Sequence, residues 1–331
     1  MIDLNEIVDI SKVSLFRTID REGFIFTAIT EPANVYDAIV IKYPSDIPCF
    51  SPRIDASLHS LEEQIDFVNK HSIEKALIIA ENIEFITMCP TLKYLRIIPP
   101  DNIGDGFDYS PLYKMRQIKS LSCSTIYGFR EELSTTIDCL KIKGLEDISI
   151  SNSNYINFEK VQTLKKLSVS DYKDSDIVRM FDSLILESIN IIQSNIYSLN
   201  GIEKAKNIQD IACQYIRNLR DISSLVKISA SLKTLVIENC PKIEDFSCLF
   251  ELTELEHLEL YGKNKLPNLS FLTKMRKLKT FSFSMEIEDG NLTPCLRIPY
   301  VYCKKGKKHY NLKDKDLPKN INLDEDRGRL A

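Results

Sequence analysis

A short apolar unit recurs at a fixed spacing in the C-terminal half of the chain, and it constrains the fold more than any other feature. The pattern apolar-x-x-apolar-x-apolar starts at Leu232, Leu255 and Leu278, which are 23 residues apart each time. Between the units, apolar residues fall at every third position, as from Ile243 to Leu255. A unit of this length cannot bury its own apolar face, so such repeats must stack and share one core. The spacing therefore predicts a strand in each unit, followed by a tight return segment.

The same unit can be followed upstream to residue 73, which makes ten units in all. The units begin at Ile73, Leu92, Ile118, Leu145, Leu164, Leu186, Ile208, Leu232, Leu255 and Leu278. Residues 137–142 also fit the pattern, but they lie only eight residues before 145–150, which is too few for a coil. We assign the strand to 145–150 and place 137–142 on the return path. Period-three spacing in the return segments predicts 3₁₀ turns, with α-helix where insertions give room, near 126–137 and 174–183.

Residues 241–260 resemble the leucine-rich repeat superfamily, and within it the internalin-like class of bacterial proteins with about 22 residues per repeat. The matching positions are Ile243, Asp245, Ser247, Leu249, Leu252, Thr253, Leu255, Leu258 and Leu260. The likeness covers about residues 73–284 and is closer after residue 186. It implies an α/β solenoid, a horseshoe with a curved parallel sheet of about ten coils and short 3₁₀-like convex segments. It also implies a concave face that binds a protein, and it does not imply catalysis.

The segments at the two ends do not follow the repeat. We predict that residues 1–72 form an N-terminal cap, with a β-hairpin from residues 24–29 and 37–43 and a helix over 60–71. That helix begins at Ser60-Leu-Glu-Glu63, which has capping-box spacing. Residues 285–312 are predicted to form a C-terminal β cap, with two β segments around the turn at Lys304–Lys308, and residues 313–331 a mobile tail. Caps are expected because the end of a solenoid would otherwise expose its core.

Composition favours a globular protein of a reducing compartment. The net charge of −4 argues against a general binder of nucleic acids or anionic membranes. Nine cysteines, an odd number without any CxxC pair, are typical of small buried side chains outside an oxidising compartment. We see neither a signal peptide nor an apolar run long enough to span a membrane. We therefore expect a cytoplasmic protein. The resemblance to a bacterial class implies a bacterial protein, and we expect it to be a monomer.

The sequence contains no pattern that predicts catalytic, cofactor-binding or metal-binding residues. None of the four histidines pairs with a second histidine or a cysteine at ligand spacing. The glycines form neither a phosphate loop nor a nucleophile elbow. We predict that the protein is not an enzyme and needs no cofactor or metal.

Functional information is expected at the x positions of the units, because side chains alternate along a strand and these positions face away from the core. Small serines fill these positions in the third to fifth units, whereas large polar side chains gather near the C-terminal end. The predicted protein-binding residues of the concave face are Tyr94, Arg96, Tyr215, Glu238, His257, Glu259 and Tyr261. Tyrosines and desolvated charges often anchor protein interfaces. In the simpler interpretation, polar residues only keep an exposed strand surface soluble.

These observations predict a non-catalytic scaffold that binds another protein on its concave sheet, in the role of an immunity-type or adaptor protein. One alternative is an accessory or effector protein with an activity in residues 1–57. Another is a nucleic-acid-associated protein that uses the basic loop at Lys304–Lys308. Binding that weakens steeply with salt would favour the nucleic-acid alternative.

Overall fold

The computed structural model describes residues 18–19, 25–28, 36–43, 59–99, 106–123, 136–151, 155–181 and 185–320. The chain divides into two compact units, and the boundary between them lies after Thr163. We call them the N-terminal unit and the C-terminal unit and describe each by itself.

The described residues form short strands, one α-helix and many 3₁₀ turns. The strands of the N-terminal unit are β1 (Thr18–Ile19), β2 (Ile25–Ala28), β3 (Tyr36–Tyr43), β4 (Lys75–Ala80), β5 (Tyr94–Ile98), β6 (Ser120–Cys123), β7 (Ile137–Asp138), β8 (Asp147–Ser151) and β9 (Tyr155–Ile156). Those of the C-terminal unit are β10 (Lys166–Ser170), β11 (Ser188–Ile192), β12 (Asp210–Gln214), β13 (Thr234–Glu238), β14 (His257–Tyr261), β15 (Lys265–Leu266), β16 (Thr280–Phe283), β17 (Glu286–Ile287) and β18 (Tyr300–Cys303). The helix α1 spans Leu61–Lys70.

In the N-terminal unit, β3, β4, β5, β6 and β8 form a parallel ladder. Equivalent positions of successive units pair with one another, as Leu95 does with Leu121. The predicted hairpin is present, since β2 pairs with β3 in antiparallel orientation. However, β3 is also the first parallel rung, because Ile39 pairs with Ala76 and Ile41 with Ile78. Part of the segment predicted as a cap therefore belongs to the ladder itself.

The predicted helix over 60–71 is confirmed as α1, and its start has the expected chemistry. The Ser60 side chain accepts a hydrogen bond from the Glu63 N–H at 3.2 Å, and the Glu63 carboxylate accepts one from the Ser60 N–H at 2.7 Å. This reciprocal pair satisfies two donors at the helix start that would otherwise lack partners. From the buried side of α1, Gln64 accepts from the Lys42 N–H at 3.0 Å and donates to the Lys42 carbonyl at 3.1 Å. One side chain thus fixes the helix to the end of β3.

The ambiguity between residues 137–142 and 145–150 is decided in favour of the second segment. β8 pairs with β6 in the ladder, with Leu121 opposite Ile148. β7 instead pairs with β9 in a separate two-stranded ribbon on the return path. The reason is chain length, because the short segment between β7 and β8 has room for a single 3₁₀ turn, Cys139–Lys141, and not for a full coil.

In the C-terminal unit, seven strands form a parallel ladder in the order β10, β11, β12, β13, β14, β16 and β18. The last rung differs from the prediction of a β cap with two segments around a turn. β18 runs parallel to β16, with Phe281 opposite Val301 and Phe283 opposite Cys303, and residues 309–312 form no strand. The segment from Ile298 to Cys303 repeats the apolar-x-x-apolar-x-apolar pattern, so it continues the repeat instead of closing it.

Contacts continue into the segment that the sequence assigned to a mobile tail. Leu317 is buried, and the Val301 N–H donates to the Pro318 carbonyl at 2.9 Å. The Asp314 carboxylate accepts from the Cys303 N–H at 2.7 Å. Residues 313–320 therefore pair with β18, and a tail can begin only after them. Residues 321–331 lie outside the described residues, and there the tail stays a prediction.

The return segments are 3₁₀ turns of three to six residues, as the period-three spacing predicts. They are Glu84–Met88, Ser110–Lys114, Cys139–Lys141, Phe158–Lys160, Val178–Phe181, Ile202–Lys204, Ser223–Ile228, Ser247–Glu251, Ser270–Thr273, Thr293–Arg297 and Asp314–Asp316. Many start at an Asp or Asn whose side chain accepts from the N–H two residues later, as Asp245 does from Ser247 at 2.7 Å. The α-helix expected near 174–183 is instead the 3₁₀ turn Val178–Phe181. Most of the helix expected near 126–137 lies outside the described residues.

The core of each unit is built from the repeated apolar positions. Leu235, Leu258 and Phe281 occupy the same rung position on successive strands, and all three are fully buried. The eight cysteines within the described part of the chain are free and buried, in agreement with their interpretation as small core side chains. Just before the strands, charges on neighbouring coils match, since Lys279 pairs with Glu256 at 2.7 Å and Lys93 pairs with Glu74. Such pairs favour one register of stacking over others.

Candidate functional site

The clearest candidate site is the strand face of the C-terminal unit that lies opposite its core. Along β14, Leu258 and Leu260 point into the core, whereas Glu259 and Tyr261 are half-buried on the other side. Pairing in register brings more polar and aromatic side chains beside them. Glu238 of β13 lies opposite Tyr261, and Ser282 and Tyr302 continue the row that contains Glu259. We call Glu238, Glu259, Tyr261, Ser282 and Tyr302 the C-terminal face.

Tyr215 joins this face from the residue after β12. Its hydroxyl donates to Oε1 of Glu238 at 2.9 Å, and the residue is 46% exposed. Its backbone has a φ of 56°, and its N–H donates to the Glu238 carbonyl at 2.7 Å. The residues after the neighbouring strands, Gln193 and Asn239, also have positive φ, so the coil requires this conformation. A tyrosine is uncommon in that region, which indicates that its side chain is used for something besides the turn.

Glu259 is the most perturbed acid of the face. The pKa of its carboxyl is raised to about 7, chiefly by burial and also by the nearby charge of Glu238, whereas Lys304 lowers it. The pKa of the Tyr261 phenol is raised to about 12, chiefly by burial. The Lys304 ammonium lies 5.2 Å from the centre of the Tyr261 ring. The face therefore combines two carboxylates and several phenol rings, with Lys304 near Tyr261 and Lys319 near Tyr302.

His257, which the sequence assigned to the binding surface, is not accessible there. It is 2% exposed and lies in register between Thr234 and Thr280. Its Nδ1 is 2.9 Å from Oγ1 of Thr280. The small side chains of Thr234 and Thr280, at the same position of the adjacent rungs, flank it at the start of the strand. His257 therefore packs between strands and does not belong to an open surface.

The second predicted patch, at Tyr94 and Arg96, differs in the same way. Arg96 is 3% exposed, between Leu77 and Ser122 on the adjacent rungs, so it cannot meet a partner directly. Tyr94 is half-buried, with the Lys75 ammonium 5.5 Å from its ring centre. The serine-rich floor expected over the third to fifth units is also discontinuous, since Ser122 is buried. The face of β4, β5 and β6 is thus part of the interior of the N-terminal unit.

Tyr302 belongs to the site region, although the sequence placed residues 285–312 in a C-terminal cap. Lys304, which the sequence singled out only as part of the basic loop, lies at the rim of the face. Tyr302 is 40% exposed, and the Lys319 ammonium lies 5.5 Å from its ring. The signal that would have found Tyr302 is the repeated apolar pattern from Ile298 to Cys303, which makes residue 302 an outward x position. Within the basic loop, Lys307 pairs with Glu286 at 3.4 Å, so part of its charge is already compensated.

Two other predictions from the sequence concern metal ions and membranes. Within the described ranges, no group of three or more His, Cys, Asp or Glu side chains is arranged to hold a metal ion. No helix among the described residues is both long and apolar enough to cross a membrane. The proposed activity in residues 1–57 falls mostly outside the described residues.

No protein-family profile and no curated protein sequence matches the chain. Several solved structures are similar to it. An internalin of Listeria monocytogenes has 15% identity and a TM-score of 0.47, over 72% of this chain and 70% of that one. Internalin C2 of the same species has 16% identity and a TM-score of 0.41, over 53% and 74%. TLR13, in a complex with ssRNA13, has 12% identity and a TM-score of 0.42, over 73% and 44%.

The classification follows from the geometry of the chain itself. Each repeat consists of one short parallel strand with the apolar-x-x-apolar-x-apolar pattern, and most strands are followed by a 3₁₀ return. Equivalent residues of successive repeats pair along each ladder. This is the architecture of leucine-rich repeats. The chain therefore has a leucine-rich repeat fold.

Proposed function

We propose that this chain is a non-catalytic scaffold that binds another protein through the C-terminal face. The observation that carries the proposal is the exposure of large aromatic and charged side chains in register on adjacent strands. Tyrosines held on a rigid sheet lose little conformational entropy on binding, and they are typical anchors of protein interfaces. Exposed strands that only needed solubility would carry small polar residues here, as β10 does with Ser168 and Ser170.

The order of the underlying ladder supports the same proposal. Glu238, Glu259 and Tyr261 belong to strands β13 and β14, whose neighbours on both sides are paired over four or five residues. A surface built on such strands is preorganised, and preorganisation reduces the entropic cost of binding. The role that we propose is that of an immunity-type or adaptor protein in a reducing compartment. The free, buried cysteines support the choice of compartment.

A pull-down from the native host tests the proposal. In the variant, Glu259→Ala is combined with Tyr261→Ala, which removes one charge and one ring from the centre of the face. We expect loss of the captured partner, because truncation of central anchors commonly costs 2 kcal/mol or more of binding free energy, roughly 30-fold in affinity. The matched control combines Ser168→Ala with Ser170→Ala, on the same ladder but away from the face. Thermal unfolding checks that both variants are folded.

Retention of the partner at the wild-type level by the Glu259/Tyr261 variant would contradict the proposal. Loss of the partner in both variants would also contradict it, because binding would then not depend on the C-terminal face. The basic loop is tested by the same experiment at rising salt, since a nucleic-acid contact weakens steeply with ionic strength.

A further inference from the structure

Two glutamates that directly precede ladder strands form ion pairs with lysines of the next coil, whereas the structure shows no such close pair for the two glutamates of the C-terminal face among the described residues. Glu256 pairs with Lys279 at 2.7 Å, and Glu74 pairs with Lys93 in the same manner. Within the part of the chain that the structure describes, neither Glu238 nor Glu259 forms an ion pair. The hydrogen-bond donors to the Glu238 carboxylate among the described residues are the Tyr215 hydroxyl at 2.9 Å and the Asn239 side-chain amide at 3.5 Å.

The two carboxylates are close enough to act on one ligand group. They are diagonal neighbours on adjacent strands, which places their Cα atoms about 8 Å apart. Their like charges disfavour simultaneous ionisation, and the partial burial of Glu259 adds to this cost. A cation placed between them would relieve the repulsion and would be held by charge-assisted hydrogen bonds.

The aromatic rings around the carboxylates suit the same kind of ligand. Tyr215 and Tyr302 are exposed at the two sides of the face, and Tyr261 lies opposite Glu238 and two residues after Glu259. Faces of phenol rings attract ammonium and guanidinium groups, and ring surfaces also pack against the aliphatic stems of lysine and arginine. The Lys304 ammonium near Tyr261 is an internal example of this contact.

We infer that the protein partner presents an arginine or lysine side chain to the C-terminal face, between Glu238 and Glu259 and against the tyrosine rings. This inference rests on the proposed function and specifies the chemistry of the contact. An acidic partner segment is disfavoured, because it would bring a third negative charge to two carboxylates that already repel one another. Lys304 lies at the rim and acts against the incoming cation, so its removal should strengthen binding.

The inference includes a pH dependence with a definite sign. The charged and titratable groups near Glu259 are Glu238 from β13, Tyr261 on its own strand and Lys304, while Tyr302 of β18 lies two strands away in the same row. The pKa of Glu259 is raised to about 7. A bound cation would stabilise the ionised form of Glu259. When Glu259 is protonated, it must therefore lose its proton on binding. Affinity should therefore fall by about tenfold between about pH 8 and pH 6.

Selection from a random-peptide display library tests the inference, with the full chain as the bait. We expect the wild-type chain to enrich peptides that contain arginine or lysine. Replacement of the basic residue in an enriched peptide by glutamine should weaken its binding on the order of tenfold or more, as should Glu259→Gln or Glu238→Gln in the protein. Lys304→Ala should bind the same peptide more tightly, by a few-fold. The Glu259→Gln variant should also lose the pH dependence.

Each outcome has a separate meaning. Enriched peptides without basic residues, whose binding is still lost in the Glu259/Tyr261 double alanine variant, would overturn the cationic contact and leave the proposed function standing. Peptides that bind the double alanine variant as well as the wild type, or no enrichment at all, would overturn both. Equal weakening by Lys304→Ala and Glu259→Gln would show that the face responds to any substitution, which contradicts a specific cation contact.

Discussion

The residue between the last two apolar positions of each repeat differs in burial between the two units. We call the set of these residues the middle column. In the N-terminal unit its members Leu77, Arg96 and Ser122 are buried, whereas Ser149 of β8 is half-buried. In the C-terminal unit it contains Val236, Glu259 and Ser282, which are half-buried, and it ends at the exposed Tyr302. The repeat pattern therefore determines which side chains point away from the core of a ladder. It does not decide whether the surface they reach is accessible to a partner.

Substitution of one apolar residue of this column in each unit should produce the largest difference in the free energy of unfolding. We expect Leu77→Ala to lower the free energy of unfolding by about 3 kcal/mol, because it leaves a cavity at a fully buried site. Val236→Ala should cost roughly 1 kcal/mol or less, since half-buried side chains lose less transfer energy and their sites can fill with water. Urea denaturation of the two variants measures both values. Equal losses would mean that the middle column does not differ in packing between the two units.

Substitutions at Arg96 and Tyr261 should distinguish effects on stability from effects on partner binding. We expect Arg96→Ala to cost about 2 kcal/mol of stability, because a long buried stem is removed, and to leave partner capture unchanged. Tyr261→Ala should cost less than half of that and abolish most of the capture. Thermal unfolding and the pull-down, measured on the same preparations, check the two expectations. Reduced partner capture by a folded Arg96→Ala variant would contradict the expectation that Arg96 contributes only to stability.

The smallest expected effect concerns the charge of Glu259. Its folded-state pKa of about 7 lies above the ordinary 4.5, so the unfolded chain releases this proton first. Ionisation of Glu259 therefore makes stability fall as pH rises from about 4.5 to about 7. Glu259→Gln should remove this loss, which makes the variant more stable than wild type by about 1 kcal/mol at pH 8, after allowance for partial exposure, and nearly equal at pH 4. Denaturation series at both pH values test this. A constant difference would assign the effect to packing instead of to charge.

Much of the ladder could be predicted from local patterns. The ten strands of the predicted array, the helix after Ser60 and the 3₁₀ returns all follow from short-range features, namely apolar spacing, a capping box and Asx turns. The ladder was nevertheless predicted to end one rung too early, because the lysines and glycine after Cys303 suggested a turn between two β segments. The pattern from Ile298 to Cys303 was sufficient to identify that rung.

The site was predictable in part, for a physical reason. Strand alternation correctly brings Glu238, Glu259 and Tyr261 to one surface, and Tyr215 joins them through its hydrogen bond to Glu238. Alternation alone could not reveal that His257 is closed in by Thr280, or that Arg96 is buried. Burial depends on what packs over a position, and that is a property of distant parts of the chain.

The amino-acid sequence by itself determined the repeat, the register of the strands and the side of each strand that faces the core. These features depend on residues a few positions apart and on the identical spacing of neighbouring units. Only the tertiary structure decided which outward columns stay accessible, where the lysine of the last rung meets Tyr261, and which glutamates remain without lysine partners. Those properties arise from contacts between residues far apart in the chain, whose summed burial and charge no local pattern records.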